Sequence, residues 1–96
     1  MSNQSMQPFF WTNRLVRQLA NVLQGRLPHY AIQFFEGRWL HPYIRFERNG
    51  QIYARLGPWG LRLEENCPND LSTQIISTIP EDIREFMQRL IPGWPM

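Results

Sequence analysis

The stretch "YIRFERNGQIYARLG", residues 43–57, alternates apolar and polar side chains on both sides of Asn49-Gly50. A two-residue period is the mark of a strand, because successive side chains point to opposite faces. Asn-Gly between two such runs marks a β-hairpin. An isolated hairpin is marginal in water, so the rest of the chain must supply further strands and a covering layer.

Register decides which side chains share a face. A two-residue loop would set Phe46 opposite Tyr53 and Ile44 opposite Arg55, mixing apolar and charged groups. A three-residue loop, Arg48-Asn49-Gly50 with Gly50 left-handed, sets Phe46 opposite Ile52 and Ile44 opposite Ala54. It also sets Arg45 opposite Tyr53, and Tyr43 opposite Arg55. The second choice segregates the faces, so a type I turn with a G1 bulge is expected.

The flanking sequence extends the sheet. "YAIQFF" (30–35) reads as a strand, and Glu36-Gly37 as a turn. "RWL" (38–40) leads into the second strand, bent at His41-Pro42. "GPWG" (57–60) suits a type I turn with Pro at its second position. "LRLEE" then forms a fourth strand, with Leu61 and Leu63 inward and Arg62 outward. The expected sheet is a four-stranded antiparallel meander.

Helices bracket it. In "TNRLVRQLANVLQ", Leu15, Leu19, Val22 and Leu23 recur at helical spacing over about 13–24. Thr12 suits the N-cap, Trp11 a hydrophobic staple onto Val16, and Gly25 a C-terminal cap. "DLSTQII" (70–76) is open to a short helix with Leu71, Ile75 and Ile76 inward. Thr78-Ile79-Pro80-Glu81 matches a capping box before a last helix with the apolar stripe Ile79, Ile83, Phe86, Met87 and Leu90. Two helices can cover one face of such a sheet. The fold class is therefore α+β: an N-terminal helix, the meander, and a C-terminal helix with an optional short helix before it. Residues 1–10 read as a flexible segment ahead of a single domain over 11–96.

With 96 residues the core is thin, and an aromatic content of 14% compensates for that. The single cysteine, Cys67, fits a reducing compartment. The first residues lack a basic, then apolar, secretory pattern, and no run is long enough to cross a bilayer. A cytoplasmic protein without a membrane segment is expected. All ten basic residues are Arg, with no Lys. Residues 1–63 hold eight Arg against Glu36 and Glu47, a balance of +6, and residues 64–96 carry −4. Codon bias and a solvated surface account for both features more simply than function does.

The chemistry of an enzyme is absent from the sequence. Two histidines, His29 and His41, and a distant cysteine do not make a metal cluster. Glu64 and Glu65 are strand neighbours whose side chains diverge, which does not suit an acid/base pair. An acidic setting raises the thiol pKa of Cys67. No phosphate-cradling loop is present. The expectation is a non-enzymatic protein without cofactor or small-molecule substrate.

What remains is the sheet face away from the helices. It is expected to carry Tyr43, Arg45, Tyr53, Arg55 and Arg62, with Trp59 at a loop tip. The simplest account is a wet face on which Arg and Tyr stabilise each other. Trp, Tyr and Arg are also the residues enriched at interface hot spots. The reading adopted is a protein-interaction module, a small adaptor, inhibitor or chaperone-like regulator, that contacts another protein or a second copy of itself. The alternative is a single-stranded nucleic-acid binder using the same face. The βαββαβ order of sheet-face RNA-binding modules does not match this chain, and its total charge is low for such a role.

Overall fold

The computed structural model describes residues 11–90, apart from the side chains of Phe86 and Leu90. The segment expected to be flexible over 1–10 and the tail "IPGWPM" lie outside the described residues. The chain runs α1 (Asn13–Arg26), β1 (Ala31–Phe35), β2 (Tyr43–Arg48), β3 (Gln51–Gly57), β4 (Gly60–Leu63), α2 (Leu71–Thr78) and α3 (Glu81–Leu90). The strands form one antiparallel sheet in the order β1-β2-β3-β4. This is the α+β architecture read from the sequence.

Thr12 caps α1, its hydroxyl accepting from the Leu15 amide at 3.1 Å. Trp11 is buried, and its indole donates to the Pro42 carbonyl at 2.7 Å, tying the helix start to the start of β2. Gly25 does not cap the helix. It lies within α1, which runs on to Arg26 and is capped by Leu27, whose amide bonds to the Leu23 carbonyl. The short helix after Asp70 is present as α2. Thr78 closes α2 rather than opening α3, so the capping box does not form as expected. The Pro80 carbonyl accepts from Arg84 instead, and Glu81 and Asp82 occupy the first turn, where the helix dipole favours carboxylates.

The hairpin departs from the expected loop. Asn49 (φ 55°) and Gly50 (φ 77°) are both left-handed. This is the type I′ pattern, whose twist matches that of the strands. Arg48 pairs with Gln51 across a two-residue loop. The faces still segregate, because a β-bulge follows: Glu47 pairs with Ile52 but Phe46 pairs with Ala54, leaving Tyr53 as the extra residue. Beyond it Arg45 faces Arg55 and Ile44 faces Leu56. The bulge thus does the sorting that the expected three-residue loop would have done. "RWL" is not strand; residues 36–42 form a loop.

Two apolar rows cross the inner face, Ile32–Phe46–Ala54–Leu63 and Phe34–Ile44–Leu56–Leu61. Ile44, Phe46, Ala54 and Leu56 are completely buried. They pack with Val16, Leu19, Ala20 and Leu23 of α1, Leu71 and Ile75 of α2, Ile79, and Met87 of α3 in one core. All three helices thus contribute to the core on one side of the sheet, and no described element covers the other side.

Candidate functional site

On the open face, antiparallel pairing sets Gln33, Arg45, Arg55 and Arg62 in a single row across all four strands. Like charges directly opposite on a sheet repel, so the row needs compensation. Arg45 has it from three sides. Its Nη2 donates to Gln33 Oε1 at 2.8 Å, and its Nε lies 2.5 Å from Glu47 Oε2, an ion pair more than an aligned hydrogen bond. Its guanidinium also covers the Phe35 ring at 4.5 Å. Arg55 donates to Glu64 at 2.6 Å. Arg62 stacks on the Trp59 ring at 4.3 Å and has no carboxylate partner among the described residues.

The aromatic part sits beside this row. Phe35 and Tyr43 are cross-strand partners with their rings stacked, centroids 4.8 Å apart. Trp59 belongs to the two-residue loop between Gly57 and Gly60. Its ring folds back over Gly57, and a Cβ there would come within 2.5 Å of it. Trp59 is therefore only 38% exposed. Trp39 is far more exposed, at 97%, with Leu40 beside it at 83%. Gly37 positions their loop: a side chain there would collide with the Leu40 carbonyl and with Pro42. The Asn13 side chain pins the same glycine through both its amide and its carbonyl.

Between these groups lies a cleft of about 370 Å³, lined by Leu40, His41, Tyr43, Arg55 and Trp59. A second depression of about 280 Å³ adjoins it, sharing Leu40, His41 and Tyr43 and reaching Phe35 and Trp39. The surface is apolar at its centre with guanidinium groups at one side. It can hold an aliphatic or aromatic side chain and neutralise an acidic neighbour.

Of the residues singled out in the sequence, Tyr43, Arg45, Arg55, Trp59 and Arg62 come together here. Tyr53 does not. As the bulged residue it turns inward, packs against the core and meets Tyr30 edge-on, centroids 6.2 Å apart. Ile52, assigned to the covered face, pairs instead with Glu47 of the open face. Phe35 and Leu40 join the site without having been foreseen, and Trp39, which the sequence places near a turn, joins it as well. Phe35 follows from the β1–β2 register, which the 36–42 loop leaves undetermined in the sequence. Trp39 and Leu40 carried a signal, two large apolar residues between turn residues.

Chemistry elsewhere is sparse. Burial, and secondarily the carboxylate of Asp70, push the Cys67 thiol above its ordinary value. No cluster of three His, Cys, Asp or Glu side chains capable of holding a metal exists among the described residues. No helix among them is long and apolar enough to cross a membrane. Compared with protein-family models, curated proteins and solved structures, the chain matches none.

Proposed function

We propose that the protein is a non-enzymatic protein-interaction module, an adaptor, inhibitor or chaperone-like regulator, that receives its partner on the open sheet face. The observation that carries this reading is the exposed pair Trp39-Leu40 bordering the Tyr43–Trp59 cleft. Large exposed rings beside an apolar concavity favour burial against another apolar surface. Arg62, the member of the row without a carboxylate partner among the described residues, adds orientation and selects an acidic neighbour.

A single-stranded nucleic acid is the second reading, favoured by arginine and aromatic groups on an open sheet. Against it, Arg45 and Arg55 are already paired with Glu47 and Glu64. The Phe35 ring is covered by Tyr43 and Arg45, and the Trp59 ring by Arg62.

The test is affinity capture with the wild-type protein and with Trp39→Ala, beside anisotropy titrations of labelled single-stranded RNA at two salt concentrations. A protein retained by the wild type and lost with Trp39→Ala, at either salt, supports the module. RNA binding that falls steeply with salt and weakens with Arg62→Ala replaces it with the second reading.

A further inference from the structure

The two edges of the sheet are treated differently. The outer edge of β1 is plugged by α1. The Gln24 side chain donates to the Tyr30 carbonyl at 2.8 Å and accepts from the Ile32 amide at 2.9 Å. Asn13 does the same at Gly37, donating at 3.1 Å and accepting at 2.8 Å. On β1 the Gln24 side-chain amide thus occupies the place that a neighbouring strand's peptide group would take, and Gly37, held by Asn13, lies in the loop just beyond the strand.

β4 has no such plug among the described residues. The Glu64 amide bonds to the Tyr53 carbonyl, and Arg62 pairs with Arg55. Because bonding alternates along an antiparallel ladder, the peptide groups of Leu61 and Leu63 point away from β3. The edge thus offers two amides and two carbonyls. Leu63, on the inner face of this edge, is 49% exposed. Arg62, on its outer face, is the one member of the arginine row without a carboxylate partner among the described residues.

We infer that β4 accepts an extended segment of another protein by strand addition, and that this segment carries an acidic residue between two apolar ones. The pattern follows from alternation. A residue opposite Arg62 lies on the outer face and completes its charge. Its two neighbours fall opposite Leu61 and Leu63 and extend the apolar inner face. A second copy of this chain is a poorer occupant. The two-fold register that uses all four edge groups sets Arg62 of one copy against Arg62 of the other, joining two arginine rows end to end. The register that sets Arg62 against Glu64 takes a carboxylate already bound to Arg55 and leaves Leu61 beyond the paired region. The inference rests on the interaction reading and names the partner's chemistry, but it uses β4 and not Trp39.

The probe is a labelled heptapeptide of alternating valine and threonine with glutamate at its centre, followed by anisotropy, and the same peptide with lysine there. The glutamate peptide is expected to bind about ten-fold tighter than the lysine peptide. Arg62→Glu should reverse the order. Leu63→Pro deletes an outward amide without touching the β3 ladder, and should weaken binding about ten-fold. N-methylation of the two valines flanking the glutamate should abolish binding, which keeps the test decisive even if Leu63→Pro fails to fold. Trp39→Ala should leave the peptide affinity unchanged, so loss of the Trp39 contact and loss of the edge are told apart. Equal binding of the two peptides, no saturable binding, or binding indifferent to N-methylation would overturn the inference. So would a wild-type dimer in sedimentation that Leu63→Pro turns into a monomer, since the occupant would then be a second copy.

Discussion

Gly57 and Trp59 form a unit smaller than any element. The glycine leaves a flat place on the open face, and the indole lies in it with the Arg62 guanidinium 4.3 Å from its centroid. Gly57→Ala should push the ring outward and cost about 1–3 kcal/mol, the range for an overpacked site. Trp59→Ala in the same chain should recover most of that loss, and a double-mutant cycle in urea measures the recovery. Cys67 offers a second check. Its thiol is held above its ordinary value of 9.0, so the folded chain keeps a proton that the unfolded chain releases first. That contribution is complete below about pH 8, within the usual thiol range, and is lost as the pH rises through the folded-state value. Denaturation midpoints should therefore fall more steeply above pH 9 for the wild type than for Cys67→Ala. Thiol labelling at pH 7 should be slower in the native protein than in urea.

The elements differ in how far their local signals determine them. α1 carries its N-cap and its apolar stripe within one stretch, and the sequence states both; only its end, expected at Gly25, falls later. The hairpin is stated by Asn49-Gly50, but the place where its register shifts is not. A three-residue loop and a two-residue loop with a later bulge both keep Phe46 and Arg45 on opposite sides. The bulge sets Tyr53 against Tyr30 on the inner side, a partner that lies beyond the hairpin. Trp39 and Leu40 signal themselves locally as large apolar residues between turn residues, but the loop that carries them is held from another element, by Asn13 on Gly37. The same dependence makes a prediction for β1. Gln24→Ala removes both partners of the Tyr30 and Ile32 peptide groups, and should cost about 1–2 kcal/mol. It should also unblock the edge, seen as faster hydrogen exchange at Ile32 and as self-association at high concentration.

For the molecule as a whole, the buried core and the proposed contact surface lie on opposite sides of one sheet. Phe46 lies at the centre of the inner face, fully buried. Phe46→Ala should cost about 3–5 kcal/mol, a large part of the roughly 5–15 kcal/mol that holds a typical domain together. Trp39→Ala should change the urea midpoint by no more than about 0.5 kcal/mol equivalent, as expected of an exposed side chain. A pair of melts would show the contrast. It also means that the open face is free to vary: its arginines can be exchanged for other polar residues without threatening the core, provided the carboxylates of Glu47 and Glu64 change with them.

The bulge at Tyr53 bears on how the chain tolerates changes in length. Removing almost any single residue from a strand moves everything beyond it to the wrong side of the sheet. Removing Tyr53 would not, because Ile52 and Ala54 already pair with the adjacent residues Glu47 and Phe46. A chain one residue shorter at this point would keep its arginines outside and its core residues inside, giving up the ring that meets Tyr30 and the carbonyl that receives the Glu64 amide. Within this hairpin, position 53 is where relatives of different length are to be expected.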